Sequence, residues 1–288
     1  MQTIAFVSDI HGNLPALQAV DQDIAMQSVN IVVNLGDALS GPLMVRETAH
    51  WLIQRHTRSG ATPWLHLAGN HERQLLAAHH RLTSGQKILN PTDSDHLAAQ
   101  QLDAAALAWV RDLPSSTHPD LWQGAWKPAL LGNDVAVCHG SPRHDNEYLL
   151  DTPENEEVRL ATPAELAERL TPQLPSHITL LACGHSHLPR TITLLRSGSS
   201  ALQLLNPGSV GLPAYDDDSP YPGSNYHRVE NGSPHARYAI ATRPIPQGPW
   251  TITLRCVPYD PEPMAHLAEQ SGRLDWAYAL RTGRMPRH

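Results

Sequence analysis

Short apolar runs alternate along this chain with amphipathic stretches, and this alternation narrows the available folds more than any other feature. Residues 3–8 read as a buried strand, and apolar side chains then recur at helical spacing over residues 14–28. Further strand-like runs follow at 31–33 and 64–67, each succeeded by a helical pattern. Strands that alternate with helices in this way predict a layered α/β fold.

The second half of the chain is richer in strand-like runs. Apolar spacing predicts one helix over residues 92–112 and a helical tail from 260 to 284. We expect residues 1–288 to form a single domain with two sheets, carrying insertions at 79–133 and 213–234. Strands are predicted at 135–138, 178–183, 190–195, 201–205, 236–242 and 250–257, with a helix at 163–170.

Five of the apolar runs end in polar side chains of the kinds that bind metal ions. Alone, each has an ordinary explanation, since Asp9 or Asn70 can cap a helix and His139 can be a buried core residue. Strand ends at one edge of a sheet, however, bring their loops together, and seven nitrogen and oxygen donors would then converge. The clusters are Asp9-Ile10-His11, Gly36-Asp37, Gly69-Asn70-His71-Glu72, His139-Gly140 and Gly184-His185-Ser186-His187.

These clusters resemble the five signature blocks of the calcineurin-like metallophosphoesterases, D-x-H, G-D, G-N-H-[DE], H and G-H-x-H. The resemblance spans residues 4 to about 190. The loop at 206–211 and the helical tail also resemble the small bacterial, phosphodiesterase-type members of that superfamily. The resemblance implies a four-layer β-sandwich flanked by helices on both faces.

Site roles follow from the same resemblance, residue by residue. His71 matches the family's catalytic histidine, which would protonate the leaving oxygen or stabilise charge on the phosphate. Glu72 either orients an imidazole or only favours the helix dipole. One implied metal takes Asp9, His11, Asp37 and His187, and the other takes Asp37, Asn70, His139 and His185, so that Asp37 bridges them.

The implied cofactors are two divalent transition-metal ions. Imidazole and carboxylate ligands without thiolate suit Mn, our first expectation, and also Fe, Zn, Co or Ni. Two such ions clamp a phosphate and activate a bridging hydroxide for attack at phosphorus. Cys138 and Cys183 lie inside apolar runs next to the implied ligands, and we expect them to pack in the core.

The second block departs from the protein-phosphatase pattern G-D-x-x-D-R-G. Residues 36–42 lack both the second aspartate and the arginine that clamps phosphate. This argues against a phosphoprotein substrate and favours a diester monoanion over a monoester dianion. Arg73 and Arg143 are candidate replacements that would bind the substrate phosphate, although an arginine in such a position is more often a solvated surface residue.

Composition restricts the partners. The net charge of −7 without basic runs argues against a nucleic-acid polymer. Three scattered cysteines fit a reducing compartment, and no run reaches the roughly 18 apolar residues of a membrane span. The start of the chain lacks the basic and apolar regions of a signal peptide, so we expect a cytoplasmic protein. The oligomeric state stays open.

The sequence therefore predicts a metal-dependent phosphodiesterase acting on a small, nucleotide-type ester. A phosphomonoesterase and a dinucleoside-polyphosphate hydrolase remain alternatives, as does a non-catalytic scaffold of the same fold, as in a retromer subunit. A DNA nuclease fits the acidic balance poorly. Aromatic residues of the two predicted insertions could stack on a nucleobase or pack in loops: Trp109, Trp122, Trp126, Tyr215, Tyr221 and Tyr226.

Overall fold

The computed structural model describes residues 1–57, 62–87, 90–115, 131–170, 174–196, 198, 200–218 and 226–287. The strands are β1 (Gln2–Val7), β2 (Ile31–Asn34), β3 (Trp64–His66), β4 (Val135–Val137), β5 (Asp151–Glu154), β6 (Glu157–Leu160), β7 (Leu180–Ala182), β8 (Pro189–Leu194), β9 (Leu202–Pro207), β10 (Ala214–Asp217), β11 (His227–Glu230), β12 (Ala236–Arg243) and β13 (Thr251–Val257). The helices are α1 (Leu14–Ala25), α2 (Val45–Thr57), α3 (Asn70–Thr83), α4 (Ser94–Ala99), α5 (Ala104–Asp112), α6 (Pro163–Arg169), α7 (Glu262–Gln270) and α8 (Leu274–Thr282).

Two sheets form the centre of the fold. The first has the strand order β13-β12-β1-β2-β3, in which β1, β2 and β3 run parallel and β12 is antiparallel to both of its neighbours, β1 and β13. The second has the order β4-β7-β9-β8, with β4, β7 and β9 parallel and β8 antiparallel. The parallel strands are buried, and their carboxyl ends carry the polar clusters.

The two sheets pack face to face, and helices cover their outer faces. In β1, Ile4 and Phe6 belong to a buried cluster shared with Val135 of the second sheet. The alternate residue Ala5 belongs instead to a cluster with Leu17 of α1. On the far side, the second sheet packs against α6 in a further cluster. The result is a four-layer β-sandwich flanked by helices, which confirms the predicted fold class.

Two predicted helices are each divided in the structure. Residues 92–112 form α4 and α5, because Asp103 interrupts the pattern and caps α5 by accepting a hydrogen bond from the Ala106 backbone N–H at 2.9 Å. The tail forms α7 and α8, with Gly272 at a φ of +75° between them. In both places the apolar spacing continues across residues at which one helix ends and the next begins.

Two antiparallel strand pairs were not predicted. The pair β5–β6 turns at Asn155 and Glu156, whose φ values of 52° and 61° are typical of a two-residue hairpin turn. The pair β10–β11 lies within the predicted insertion 213–234. Residues 116–130 and 219–225 of the two predicted insertions lie outside the described residues. The single-domain organisation stays a prediction.

In the described parts of the chain, no helix is long and apolar enough to cross a membrane. The cytoplasmic location stays a prediction.

Candidate metal centre

The loops after four parallel strands meet at one edge of the sandwich. Backbone hydrogen bonds join the first two loops, from Asp9 N–H to Gly36 O at 3.0 Å and from His11 N–H to Asp37 O at 3.0 Å. The start of α3 lies at the same edge. Every predicted ligand is at most 8% exposed: Asp9, His11, Asp37, Asn70, His139, His185 and His187.

These side chains fall into two compact groups. Asp9, His11 and His187 each offer a ligand atom within 4.8 Å of the others, and so do Asp37, His139 and His185. Asn70 joins the second group, since its Oδ1 lies 2.9 Å from Nε2 of His139. The division matches the two metal positions that the resemblance implied, although the ligand roles themselves stay a prediction.

In the first group, three side-chain atoms that can bind a metal ion lie close to one another. Nδ1 of His187 lies 2.7 Å from the carbonyl oxygen of Leu212, which can only accept, so this nitrogen carries the proton. In the neutral ring Nε2 is then a lone pair, yet it faces Nε2 of His11 at 3.0 Å and Oδ1 of Asp9 at 3.3 Å. The buried Oδ1 of Asp9 accepts no hydrogen bond. Such an arrangement calls for a cation between the three side chains.

The second group repeats this arrangement. Nδ1 of His139 donates to Leu35 O at 3.0 Å, which leaves Nε2 facing Oδ2 of Asp37 at 3.0 Å and Oδ1 of Asn70 at 2.9 Å. Both of these oxygens are acceptors. The donor set therefore fits a metal ion here as well, and its imidazole and carboxylate composition fits a divalent transition metal.

Electrostatics favour the protonation states that metal ligands need at His11, His185 and Asp37. Burial lowers the pKa of His11 well below its ordinary value and that of His185 to about 3, so both rings are neutral. Burial disfavours the Asp37 carboxylate, but His139 and His71 outweigh it and hold the pKa of Asp37 well below its usual range. For His139, burial is outweighed by Asp37 and Asp9, and its pKa rises to about 9. The carboxylates thus draw positive charge to His139 in the form of a second ring proton, which a metal ion would replace.

The backbone at the centre is strained. Among the described residues, eight other than glycine have a positive φ, and five of these are predicted ligands. Such a conformation costs on the order of 1–2 kcal/mol for each residue with a Cβ, and it concentrates at functional sites. The strained ligands, with φ between 49° and 67°, are Asp9, His11, Asp37, His185 and His187.

Glu72 holds the loop that carries Asp37. Its buried carboxylate accepts four backbone hydrogen bonds, from the N–H groups of Gly69 at 2.7 Å, Ala38 at 2.8 Å, Asp37 at 2.9 Å and Leu39 at 3.1 Å. Burial and the Asp37 carboxylate raise the pKa of Glu72 to about 7 against these four donors. Neither role considered from the sequence describes this contact, in which Glu72 fixes a loop 33 to 35 residues away.

His71 has an aspartate partner that the sequence did not reveal. Its Nδ1 lies 2.8 Å from Oδ1 of Asp95 in the first turn of α4. Burial disfavours the imidazolium, but Asp95 and Asp37 outweigh it and raise the pKa of His71 to about 10. Asp95 thus gives His71 a carboxylate partner, although residues 36–42 lack a second aspartate. The signal in the sequence was Asp93-Ser94-Asp95, a helix start with an acidic first turn.

A cavity of about 470 Å³ opens onto both groups and His71. Neither arginine considered as a phosphate clamp belongs to its lining. Arg73 pairs with Asp145 through two hydrogen bonds of 2.9 Å, and Arg143 pairs with the buried carboxylate of Glu147. Both guanidinium groups therefore have carboxylate partners away from the cavity wall.

Aromatic rings pack against the predicted ligands. The Tyr215 ring lies 4.5 Å from that of His187, and its hydroxyl donates to His185 O at 3.1 Å. Trp276 of α8 meets the His11 ring edge-on at 6.0 Å. Trp109 packs against His66 in the core, at 5.4 Å. Of the other aromatic residues considered for stacking, Tyr226 is exposed, and Trp122, Trp126 and Tyr221 lie outside the described residues.

Cys138 and Cys183 are buried, and neither belongs to the two ligand groups. They belong to the cluster between the second sheet and α6, and burial raises the pKa of both thiols. This placement agrees with the packing role expected from the sequence.

Comparison with known proteins agrees with this geometry. Residues 2–206 match the family model of the calcineurin-like phosphoesterases, so the chain belongs to that family. The family hydrolyses phosphate esters and uses divalent metal ions. The chain is 24% identical over 229 residues to an uncharacterised protein, MJ0912, of Methanocaldococcus jannaschii, covering 73% of this chain and 76% of that protein. The fold of the present chain is similar to that of a metallophosphoesterase from Sphaerobacter thermophilus. The TM-score is 0.63, the identity is 23%, and the match covers 98% of this chain and 99% of that chain.

Proposed function

We propose that this protein is a binuclear metal-dependent phosphodiesterase acting on a small phosphate ester. One ion is held by Asp9, His11, Asp37 and His187, and the other by Asp37, Asn70, His139 and His185. The observation that carries the proposal is the pair of buried donor groups in which imidazole Nε2 atoms lie 2.9–3.3 Å from carboxylate and amide oxygens. A cation in each group would satisfy these buried polar atoms together.

Two divalent ions held by these residues would neutralise charge on the phosphate oxygens and lower the pKa of a bound water. The chain's own residues supply the rest. His71 lies on the cavity wall and delivers a proton, or positive charge, to the oxygen that leaves. Asp95 fixes the tautomer and direction of that ring, with the proton of Nδ1 shared with the carboxylate and Nε2 left for the substrate. The presence of all seven proposed ligands together with His71 favours an enzyme over a non-catalytic scaffold.

The charge of the cavity wall supports a diester as substrate. Among the described residues that line the cavity, Arg273 is the one lysine or arginine. Its guanidinium is already bonded to Asp275 at 2.6 and 2.9 Å and to Ser94 Oγ at 2.7 Å. A monoester dianion would need a further uncommitted cation, whereas a diester monoanion is matched by the ions and His71.

The same wall disfavours a polyphosphate chain. Asp93, Asp275 and residues 216–218 line the cavity outside the two ligand groups, and all five are aspartates. A substrate with several negative charges would meet charge of its own sign there. The volume of about 470 Å³ fits a small molecule. A nucleotide-type diester is therefore preferred over a dinucleoside polyphosphate.

The test compares three substrates with the Mn²⁺-loaded protein at neutral pH. We expect kcat/KM for bis-p-nitrophenyl phosphate to exceed that for p-nitrophenyl phosphate and that for diadenosine tetraphosphate. A monoester preference would contradict the diester assignment but leave the two-metal centre standing. A preference for the polyphosphate would contradict the argument from the acidic wall, and inactivity towards all three would favour the scaffold.

A further inference from the structure

Two tyrosine rings pack against the two histidines of the loop after β7, one on each. The ring of Tyr148 lies 5.0 Å from that of His185, and the ring of Tyr215 lies 4.5 Å from that of His187. His185 belongs to one of the two ligand groups and His187 to the other. The phenol oxygens of the two tyrosines are 2.6 Å apart. One hydrogen bond therefore joins the side chains that pack against the two proposed metal sites.

The direction of this hydrogen bond follows from its neighbours. The hydroxyl of Tyr215 lies 3.1 Å from the carbonyl oxygen of His185, which can only accept, so Tyr215 gives its one proton to that carbonyl. The Tyr215 oxygen then accepts the proton of Tyr148. Because that proton is used, the Tyr148 oxygen accepts from Nε2 of His227 at 2.8 Å. The three side chains thus form one directed chain of hydrogen bonds that ends on the backbone of His185.

The strand pair β10–β11 builds most of this chain of hydrogen bonds. Tyr215 is in β10, His227 is in β11, and Tyr148 precedes β5 and packs against Val229 of β11. Tyr215 lines the substrate cavity, whereas Tyr148 and His227 are buried behind it and do not belong to its lining. Substitution of Tyr148 or His227 therefore changes what supports the ligands without changing the wall that faces the substrate.

We propose that Tyr148 and His227 are positioning residues for the metal centre. Through Tyr215 they hold the two ligand imidazoles of this loop at the separation that two ions sharing one carboxylate require. Two ions act on one phosphate when they lie about 3.5–4 Å apart, so a small displacement of either imidazole matters. The backbone of His185 and His187 is strained, with φ values of 67° and 56°, and such a backbone persists only when its surroundings hold it. The inference rests on the two-metal centre of the proposed function, but not on the identity of the substrate.

The test uses electron paramagnetic resonance of the Mn²⁺-saturated protein, because the magnetic coupling between two Mn²⁺ ions depends on their spacing. Tyr148→Phe keeps the ring and removes only the hydroxyl. We expect it to bind two ions with a changed coupling, and to hydrolyse a diester with kcat about 10–100-fold lower and KM little changed. His227→Gln retains an N–H donor and should stay close to the wild type in both measurements. His227→Leu has no donor and should behave as Tyr148→Phe does.

The matched control is Tyr238→Phe. It removes the hydroxyl of another buried tyrosine, which donates to Oδ2 of Asp23 in α1 at 2.6 Å, and it should leave the coupling and kcat as in the wild type. Unchanged coupling in Tyr148→Phe, an equal change in Tyr238→Phe, or equal losses in His227→Gln and His227→Leu would each overturn the positioning role. An inactive wild type with two coupled ions would contradict the proposed activity alone, and the coupling in Tyr148→Phe would still decide the positioning role.

Discussion

Nδ1 of His71 lies 2.8 Å from Oδ1 of Asp95, and this contact joins the start of α3 to the start of α4 beside the two ligand groups. The proton on Nδ1 leaves Nε2 for the substrate. Asp95 is 7% exposed and sits on a helix whose first turn is capped by Asp93. The imidazole proposed to be catalytic is thus held by a carboxylate from outside residues 36–42, where the protein-phosphatase pattern has its second aspartate.

We predict that Asp95→Asn lowers kcat about 10–100-fold, as expected for a residue that orients the side chain proposed to transfer a proton. Metal content and KM should change little. Asp95 raises the pKa of His71, so its removal lowers that pKa. Because protonated His71 is required, activity is lost as pH rises through this pKa, and the basic limb of the kcat profile should move to lower pH. Steady-state kinetics across pH measure both effects.

The control for this substitution is Asp93→Asn. It removes the same charge from the same turn but retains a good helix cap and does not touch His71. If Asp93→Asn produced the same loss and the same shift of the basic limb, the effect of Asp95→Asn would come from the loss of a negative charge near the cavity. The orienting role proposed for Asp95 would then be wrong.

His71→Ala should retain its metal ions and lose turnover by roughly 10²–10⁴-fold, the range for general acid catalysis. The loss should shrink for esters with good leaving groups, which need little protonation. A series of aryl diesters of increasing leaving-group pKa measures this dependence. Equal losses across the series would instead favour a role in stabilising charge on the phosphate.

Glu72→Gln should weaken metal binding about 10–100-fold and destabilise the fold by about 2–3 kcal/mol. The amide N–H₂ would face backbone N–H groups that now donate to a carboxylate. Metal titration and chemical unfolding measure the two effects. Glu47→Gln, on the exposed face of α2, is the control and should change neither. Normal metal affinity in Glu72→Gln would show that the Asp37 loop is held by other contacts.

Cys138→Ala/Cys183→Ala should lose about 1 kcal/mol of stability for each substitution, because two buried side chains are shortened. It should keep its full metal content, since neither thiol belongs to the ligand groups. Elemental analysis beside thermal unfolding separates the two outcomes. Loss of metal from protein that remains folded would overturn the packing role.

The strand-end clusters could be predicted from the sequence because parallel strands of one sheet align their carboxyl ends, which places Asp9 and Asp37 at the same edge. His139 follows a strand of the second sheet and reaches Asp37 at that edge. The sandwich followed from the resemblance. Apolar periodicity also located the central strands. It did not reveal that the predicted helix is interrupted at Asp103, where a capping side chain starts a new helix. A single capping residue is a weaker signal in a sequence than a run of apolar residues.

What the sequence could not show depends on long-range contacts. Asp95 reaches His71 only because α4 packs on α3, and Glu72 meets the loop after β2 only once β2 and β3 are paired. Neither contact leaves a periodic signal. The pair β5–β6 was missed because charged residues and a proline obscure its alternation, although Asn155 at the turn was a local signal.

The central claim is that two divalent ions share Asp37, and metal stoichiometry measured beside diester hydrolysis tests it most directly. We predict two ions per wild-type chain, loss of activity on chelation, and recovery with Mn²⁺. Asp37→Asn should bind fewer than two ions and lose activity, because both sites depend on this carboxylate. Full activity in metal-depleted protein, or two normally bound ions in Asp37→Asn, would contradict the account.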